Sequence, residues 1–163
     1  MSADKAGGVI YVDADACPVK EEVYRVAVRY AIPVVLVANS RMRVPEGGGV
    51  RLVLVAGGQL DSADDWIAAR AGTGDIVVTA DIPLASRCVA AGARVLDPRG
   101  KVHTEDSVGD ALATRNLMSQ LREAGAITGG PSPHARRDSS LFLQKLDELI
   151  QQIRRSRGGI MRT

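Results

Sequence analysis

Short β-branched and aliphatic runs, each closed by a polar or glycine-rich break, constrain this chain most. Val9-Ile10-Tyr11-Val12 ends in Asp13-Ala14-Asp15, Pro33 to Ala38 ends in Asn39, and Arg51 to Val55 forms a third run. Asp75 to Thr79 ends in Ala80-Asp81, and Arg94 to Leu96 ends near Asp97-Pro98-Arg99-Gly100. Runs this short and apolar read as strands buried on both faces, as in parallel sheets. Segments of helical period separate them. Pro18 suits the first turn of a helix to about Ala31, with Val19, Val23, Val26, Ala27 and Tyr30 on one face. Asp61 to Ala71 reads as a short helix, and Ile82, Ala85, Cys88 and Val89 mark the face of the next. Alternating strands and helices predict an α/β fold of three layers, α/β/α, with a mostly parallel sheet and right-handed crossovers.

After Gly100 the pattern predicts helix only. Ser107 with Asp110 suggests a capping box, and Gly125 a helix end. Thr128 to Arg137 reads as a linker, and a last helix from about Asp138 carries Phe142, Leu146, Leu149, Ile150 and Ile153 on one face. The expected organisation is a flexible N-terminus (1–8), one domain (9–153) with a helical C-terminal extension from about residue 104, and a basic, frayed tail (154–163). Only 3% of the 163 residues are aromatic, so the core must be aliphatic. The net charge of +2 does not by itself demand nucleic acid. Arginine greatly outnumbers lysine, which suits phosphate, although a GC-rich genome leaves the same bias. The two cysteines, Cys17 and Cys88, form no CxxC or disulfide framework. No apolar stretch approaches the ~18 residues of a membrane span, and Met1 to Gly8 is unlike a secretory signal. The expected location is cytoplasmic, with reduced thiols.

Ligands of open α/β sheets bind beyond the carboxyl ends of the strands. Asp13 and Asp15 after the first strand, Asp61, Asp64 and Asp65 at a helix start, and Asp81 after the fourth run could converge there. Asp13 and Asp15 would share a face if the strand continues through both. Gathered carboxylates resist ionising together, and a divalent cation is the usual remedy. Oxygen donors suit Mg²⁺ or Mn²⁺, which would activate water for in-line displacement at phosphorus. A lone aspartate at such a place more often caps a helix: Asp61 and Asp64 suit one helix start, and Asp81 before Ile82-Pro83 another. The set at strand ends favours a metal. Val-Asp-Ala-Asp is also similar to the start of haloacid dehalogenase-type phosphatases. Those need a later lysine and then an acidic pair, whereas here no lysine lies between Lys20 and Lys101 and Asp64-Asp65 comes too early.

Several segments, in order from about Val9 to Leu149, resemble the YaiI/YqxD family of uncharacterised bacterial proteins. They include Val12-Asp13-Ala14-Asp15-Ala16-Cys17-Pro18, Leu36-Val37-Ala38-Asn39, Arg43-Val44-Pro45, Asp61-Ser62-Ala63-Asp64, and Gly74 through Ala85. Pro98-Arg99-Gly100, Thr128-Gly129-Gly130-Pro131, and Arg137-Asp138 followed by Phe142 complete the set. The family looks like a relative of the PIN and NYN nuclease-like domains. That resemblance implies a PIN-like fold, bound Mg²⁺ or Mn²⁺, and RNA as substrate. It implies Asp13 as the first-strand aspartate, Asp64 as the acid of the middle helix and Asp81 as the aspartate of Thr-x-Asp-x-x-Leu. Asp15 adds a possible fourth ligand.

Asn39, Arg41 and Arg43 follow a strand end and would border the acidic edge, holding a phosphate or base, or simply solvating a loop. Arg115 is a further candidate for the RNA backbone. Cys17 precedes Pro18 at a helix start, where a thiol can be activated, but packing is the simpler role. Cys88 reads as core, and His134 as a solvated linker residue. Gly47-Gly48-Gly49 lacks the Lys-Ser/Thr of a Walker loop. Gly129-Gly130-Pro131 reads as a flap or a plain linker, Arg136 and Arg137 as phosphate contacts, and Arg154, Arg155 and Arg157 as a solvated tail. Trp66 suits packing better than base stacking. The leading expectation is a divalent-metal-dependent nuclease acting on RNA. The alternative is an RNA- or protein-binding module that kept the fold and lost turnover.

Overall fold

The computed structural model describes residues 8–15, 17–55, 62–126 and 133–162. The strands are β1 (Ile10–Asp13), β2 (Val34–Ala38), β3 (Val50–Leu54), β4 (Ile76–Val78), β5 (Arg94–Leu96) and β6 (Val102–His103). The helices are α1 (Lys20–Tyr30), α2 (Ser62–Arg70), α3 (Ile82–Ala90), α4 (Glu105–Glu123) and α5 (Arg136–Arg162). One sheet holds the strands in the order β3-β2-β1-β4-β5-β6. β1 to β5 run parallel, and β6 pairs antiparallel with β5. The chain winds outward from β1 to β3, returns to β4 beside β1, and winds out the other way. The strand order reverses between β1 and β4, and open sheets of this kind bind ligands beyond the carboxyl ends of the strands at such a switch point.

Strand alternation sorts the core into two clusters, giving a three-layer α/β/α fold. Ile10, Val12, Val34, Leu36, Ile76, Val78 and Leu96 face α1 and α5. Tyr11, Val35, Val37, Val77 and Val95 face α2, α3 and the start of α4. The helical C-terminal extension is therefore present, and its last helix supplies half of one layer. Phe142, Leu146, Leu149 and Ile150 of α5 are all buried against the sheet.

Four details differ from the sequence expectations. β1 stops at Asp13, so alternation does not extend to Asp15. β6 was not expected, because two residues carry no periodicity. Since β6 ends at His103, α4 must start at once. Its capping box is Thr104 with Ser107, not Ser107 with Asp110: Ser107 N donates to Thr104 Oγ1 (3.2 Å) and Thr104 N to Ser107 Oγ (2.7 Å). α5 continues past Arg154, which is exposed but not frayed: its guanidinium lies over the Tyr30 ring and donates to the Tyr30 carbonyl. The expected flexible N-terminus up to Gly7 and the Gly129-Gly130-Pro131 segment lie outside the described residues, as does the Arg157 side chain.

The Pro98-Arg99-Gly100 motif has a packing explanation. Gly100 sits at φ +92°, and a Cβ there would come within 2.7 Å of Leu141 Cγ and 3.0 Å of the Phe142 nitrogen. Arg99 also pairs with Asp138 at 3.7 Å, so the turn after β5 is clamped to the start of α5.

His103 is only 4% exposed, and neither ring nitrogen has a hydrogen-bond partner among the described residues. Burial pushes its pKa below the ordinary 6.5, with Asp97 opposing and Lys101 reinforcing the shift. The folded state thus holds the neutral ring, while the unfolded chain takes up a proton from about pH 6.5 downward. This contribution to stability is complete above the unfolded pKa and is lost as pH falls toward the folded one. Urea unfolding of wild type should weaken between about pH 7.5 and pH 5.5. His103→Leu should gain roughly 1 kcal/mol at neutral pH, by removing buried unpaired nitrogens, and should show a flatter pH dependence. An unchanged slope in the variant would refute the assignment.

Candidate functional site

Three aspartates are tied across the ends of neighbouring strands. Asp13 is the last residue of β1, in register with Val37 of β2. Ala14 still donates its N–H to Val37 O (2.9 Å), and the chain turns at Asp15. Thr79, buried just after β4, donates its hydroxyl to Asp13 Oδ2 (2.9 Å) and accepts from Asp81 N (3.0 Å). Asp81 is the N-cap of α3, its Oδ1 accepting from Leu84 N (3.2 Å), with a proline in the first turn. Asp15 Oδ2 accepts from Asn39 N (2.9 Å), joining the loop after β1 to the loop after β2. The row Asp81, Asp13, Asp15 and Asn39 thus follows the strand order β4, β1, β2 at the switch point.

Asp13 is half-buried, and its pKa is raised. Burial is the largest cause, the Thr79 hydrogen bond opposes it, and the charges of Asp81 and Asp15 raise it further. Each of these carboxylates spends one oxygen on its scaffold. The other oxygen of each has no donor among the described residues. All the donors are hard oxygens, which suit Mg²⁺ or Mn²⁺. Among the described residues no group of three or more acidic, His or Cys side chains is close enough to form a full cage. The donor set fits a cation that keeps several waters and takes one or two carboxylates, the habit of Mg²⁺.

Asp64 lies in the first turn of α2, half-buried, and its charge acts on Arg87 and Cys88 of α3. The charges that act on Asp13 come instead from Asp81 and Asp15. Exposed Asp65 pairs with Arg87 at 2.8 Å. Asp61 lies outside the described residues. Arg41 and Arg43 alternate with Met42 and Val44, which pack on the core, and both arginines are exposed just beyond Asn39. Arg115 is exposed on α4, and none of the hydrogen bonds that tie the acidic edge together involves it. Cys88 is core, its thiol pushed up to about 11 by burial, and burial also raises Cys17, which keeps it a packing thiol. Trp66 packs edge-on against Tyr11, at 6.1 Å between centroids, beneath the Arg70 guanidinium. His134 bonds Ser139 Oγ at 2.9 Å.

Two participants escaped the sequence reading. Thr79 reads as a strand-end residue, and only the fold shows its hydroxyl bridging two aspartates. Lys20 donates from Nζ to Ala14 O (3.3 Å) and Cys17 O (2.8 Å), directly behind the acidic loop. Its signal was available: a lysine in the first turn of a helix opposes the helix dipole.

A family model described as uncharacterised, YaiI/YqxD family, matches residues 11–152. The chain is 59% identical over 150 residues to a UPF0178 protein of Rhodopseudomonas palustris, covering 92% of this chain and 94% of that one. It is 57% identical over 148 residues to a UPF0178 protein of Bradyrhizobium diazoefficiens, covering 91% and 88%. A UPF0178 protein of Azorhizobium caulinodans is 55% identical over 156 residues, covering 96% and 98%. No solved structure matches the chain. Among the described residues no helix is long and apolar enough to cross a membrane.

The cap and the charge of Asp81 are separable. Asp81→Ala removes the acceptor for Leu84 N and should cost about 1 kcal/mol in urea unfolding. Asp81→Asn keeps a capping oxygen and should stay within roughly 0.5 kcal/mol of wild type. Equal losses in the two variants would show that the charge, not the cap, sets the stability.

Proposed function

The chain belongs to the YaiI/YqxD family, and we propose that its acidic edge binds Mg²⁺ or Mn²⁺ and hydrolyses RNA phosphodiesters. The observation that carries this is Asp13: a half-buried carboxylate at the switch point, flanked by two like charges, with one oxygen unpartnered. A perturbed carboxylate beyond the strand ends at a switch point is a functional-site candidate. The resemblance to PIN and NYN domains supports the choice of RNA.

In this proposal Asp13 is the principal ligand. Asp81 and Asp15 would act on the ion's coordinated waters through their second oxygens, and Asp64 would be a more distant acid. A bound divalent cation supplies a nucleophilic water at neutral pH and offsets charge developing at phosphorus. Thr79 fixes the rotamer of Asp13, and Asn39 fixes that of Asp15. Arg41 and Arg43 hold phosphates entering over the carboxyl end of β2, with Arg115 a further contact along the strand of RNA. One observation favours the binding-module alternative: all three edge aspartates already have structural hydrogen bonds, so the edge could persist without metal or turnover. RNA binding that survives EDTA, with no cleavage, would support that alternative.

The test is thermal melting with Mn²⁺ titrated into wild type, Asp13→Asn and Asp64→Asn. At a hundred times Kd, wild type should gain about 2.7 kcal/mol, or roughly 5–10 °C in Tm. Asp13→Asn should not respond, and Asp64→Asn should lose less affinity than Asp13→Asn does. Without metal, Asp13→Asn should melt above wild type at neutral pH. The folded pKa of Asp13 is raised, so its ionisation costs stability as pH rises through the window above 3.8. Absence of any Mn²⁺ response in wild type would sink the metal reading.

A further inference from the structure

We propose that Lys20 is a positioning residue for the acidic site: its ammonium holds the loop that presents Asp15. This inference rests on the metal reading above. Lys20 is the first residue of α1, and the cap position before it is Val19, which makes no side-chain capping bond. A helix start normally recruits an acidic or hydroxyl side chain there, because its N–H groups and dipole favour negative charge. This one carries an apolar cap and a cation instead.

The Lys20 side chain folds back along the loop it follows. Its Nζ donates to Ala14 O at 3.3 Å and to Cys17 O at 2.8 Å. Cys17 N also donates to Ala14 O at 3.4 Å. These bonds close the turn on either side of Asp15, whose carboxylate is aimed by a single further bond, from Asn39 N at 2.9 Å. β1 has already ended, so no ladder fixes Asp15. The ammonium takes that place. It is half-buried and gives up part of its hydration to make these bonds.

Two physical roles for Lys20 predict opposite signs. As a mere neighbouring cation it would repel a divalent ion, and its removal would tighten Mn²⁺ binding. As a positioning residue it preorganises a ligand, and its removal would weaken binding. Losing a supporting partner of a metal ligand costs on the order of tenfold or more in affinity.

The experiment measures Mn²⁺ affinity by electron paramagnetic resonance for wild type, Lys20→Met and Lys20→Arg. Amide hydrogen exchange of Asn39, the donor to Asp15, is followed in the same metal-free proteins. Lys20→Met should bind about tenfold more weakly, and its Asn39 amide should exchange roughly fivefold faster or more. Lys20→Arg keeps the charge and the donors, and should stay within about threefold of wild type. Unchanged or tighter binding by Lys20→Met, or equal loss in both variants, overturns the proposal. If wild type binds no Mn²⁺, the metal reading has failed, and Asn39 exchange alone judges Lys20. Faster exchange in Lys20→Met then upholds its hold on the Asp15 loop, and unchanged exchange overturns it.

Discussion

The parallel sheet must be covered on both faces, and every other feature follows from that. The strands beside the switch point, β1, β2 and β4, are buried along almost their whole length, so they accept only apolar side chains. Polar chemistry is confined to the two edges where the strands end. At the amino edge, buried Asp75 accepts from Val9 N through one oxygen and from Gly72 N through the other. At the carboxyl edge, Asp13 has one hydroxyl donor and two like-charged neighbours. Two carboxylates flank the same pair of strands. One is satisfied by backbone and serves the fold. The other is left electrostatically short, which a fold built for stability alone has no reason to retain.

The carboxyl edge is assembled through a few small connections. The Thr79 hydroxyl is spent on Asp13 and on the backbone of Asp81, which ties the end of β1 to the loop after β4. Asn39 does the same between β1 and β2 through Asp15. The acidic groups thus sit at and just beyond the ends of β1 and β4, with Asp15 tied to the end of β2 through the Asn39 amide. Such ties are what a metal or phosphate site needs, because ligands held in place do not pay an ordering cost when the ion arrives.

Much of this was legible in the sequence, for physical reasons. Val9 to Val12 and Ile76 to Val78 are short β-branched runs closed by polar breaks, the pattern of strands buried on both faces, with Asp13 directly after the first and Asp81 three residues past the second. The five parallel strands, the cap at Asp81, the core role of Cys88 and the packing of Trp66 all express local pattern. What escaped depends on tertiary placement. β6 exists because two residues find an edge on β5, and the Thr104 cap follows from where β6 ends. The hydroxyl bridge of Thr79 and the fold-back of Lys20 join atoms whose proximity no spacing encodes. Asp13 and Asp15 come together through a turn and Asn39, not through the alternation that their spacing suggested.

Capping and metal binding are not competing fates for Asp81. A carboxylate has two oxygens, and an N-cap uses one. The dipole of α3 lowers the cost of holding that charge beside Asp13, so the helix makes the crowding tolerable without removing it. Asp15 is relieved by exposure to solvent and by the Asn39 amide. Asp13 has neither remedy: it is half-buried, it caps no helix, and its one hydrogen bond comes from a neutral hydroxyl. Of the three, its charge is the one that a cation would stabilise most. The proposed metal site therefore turns on the residue that no cap explains.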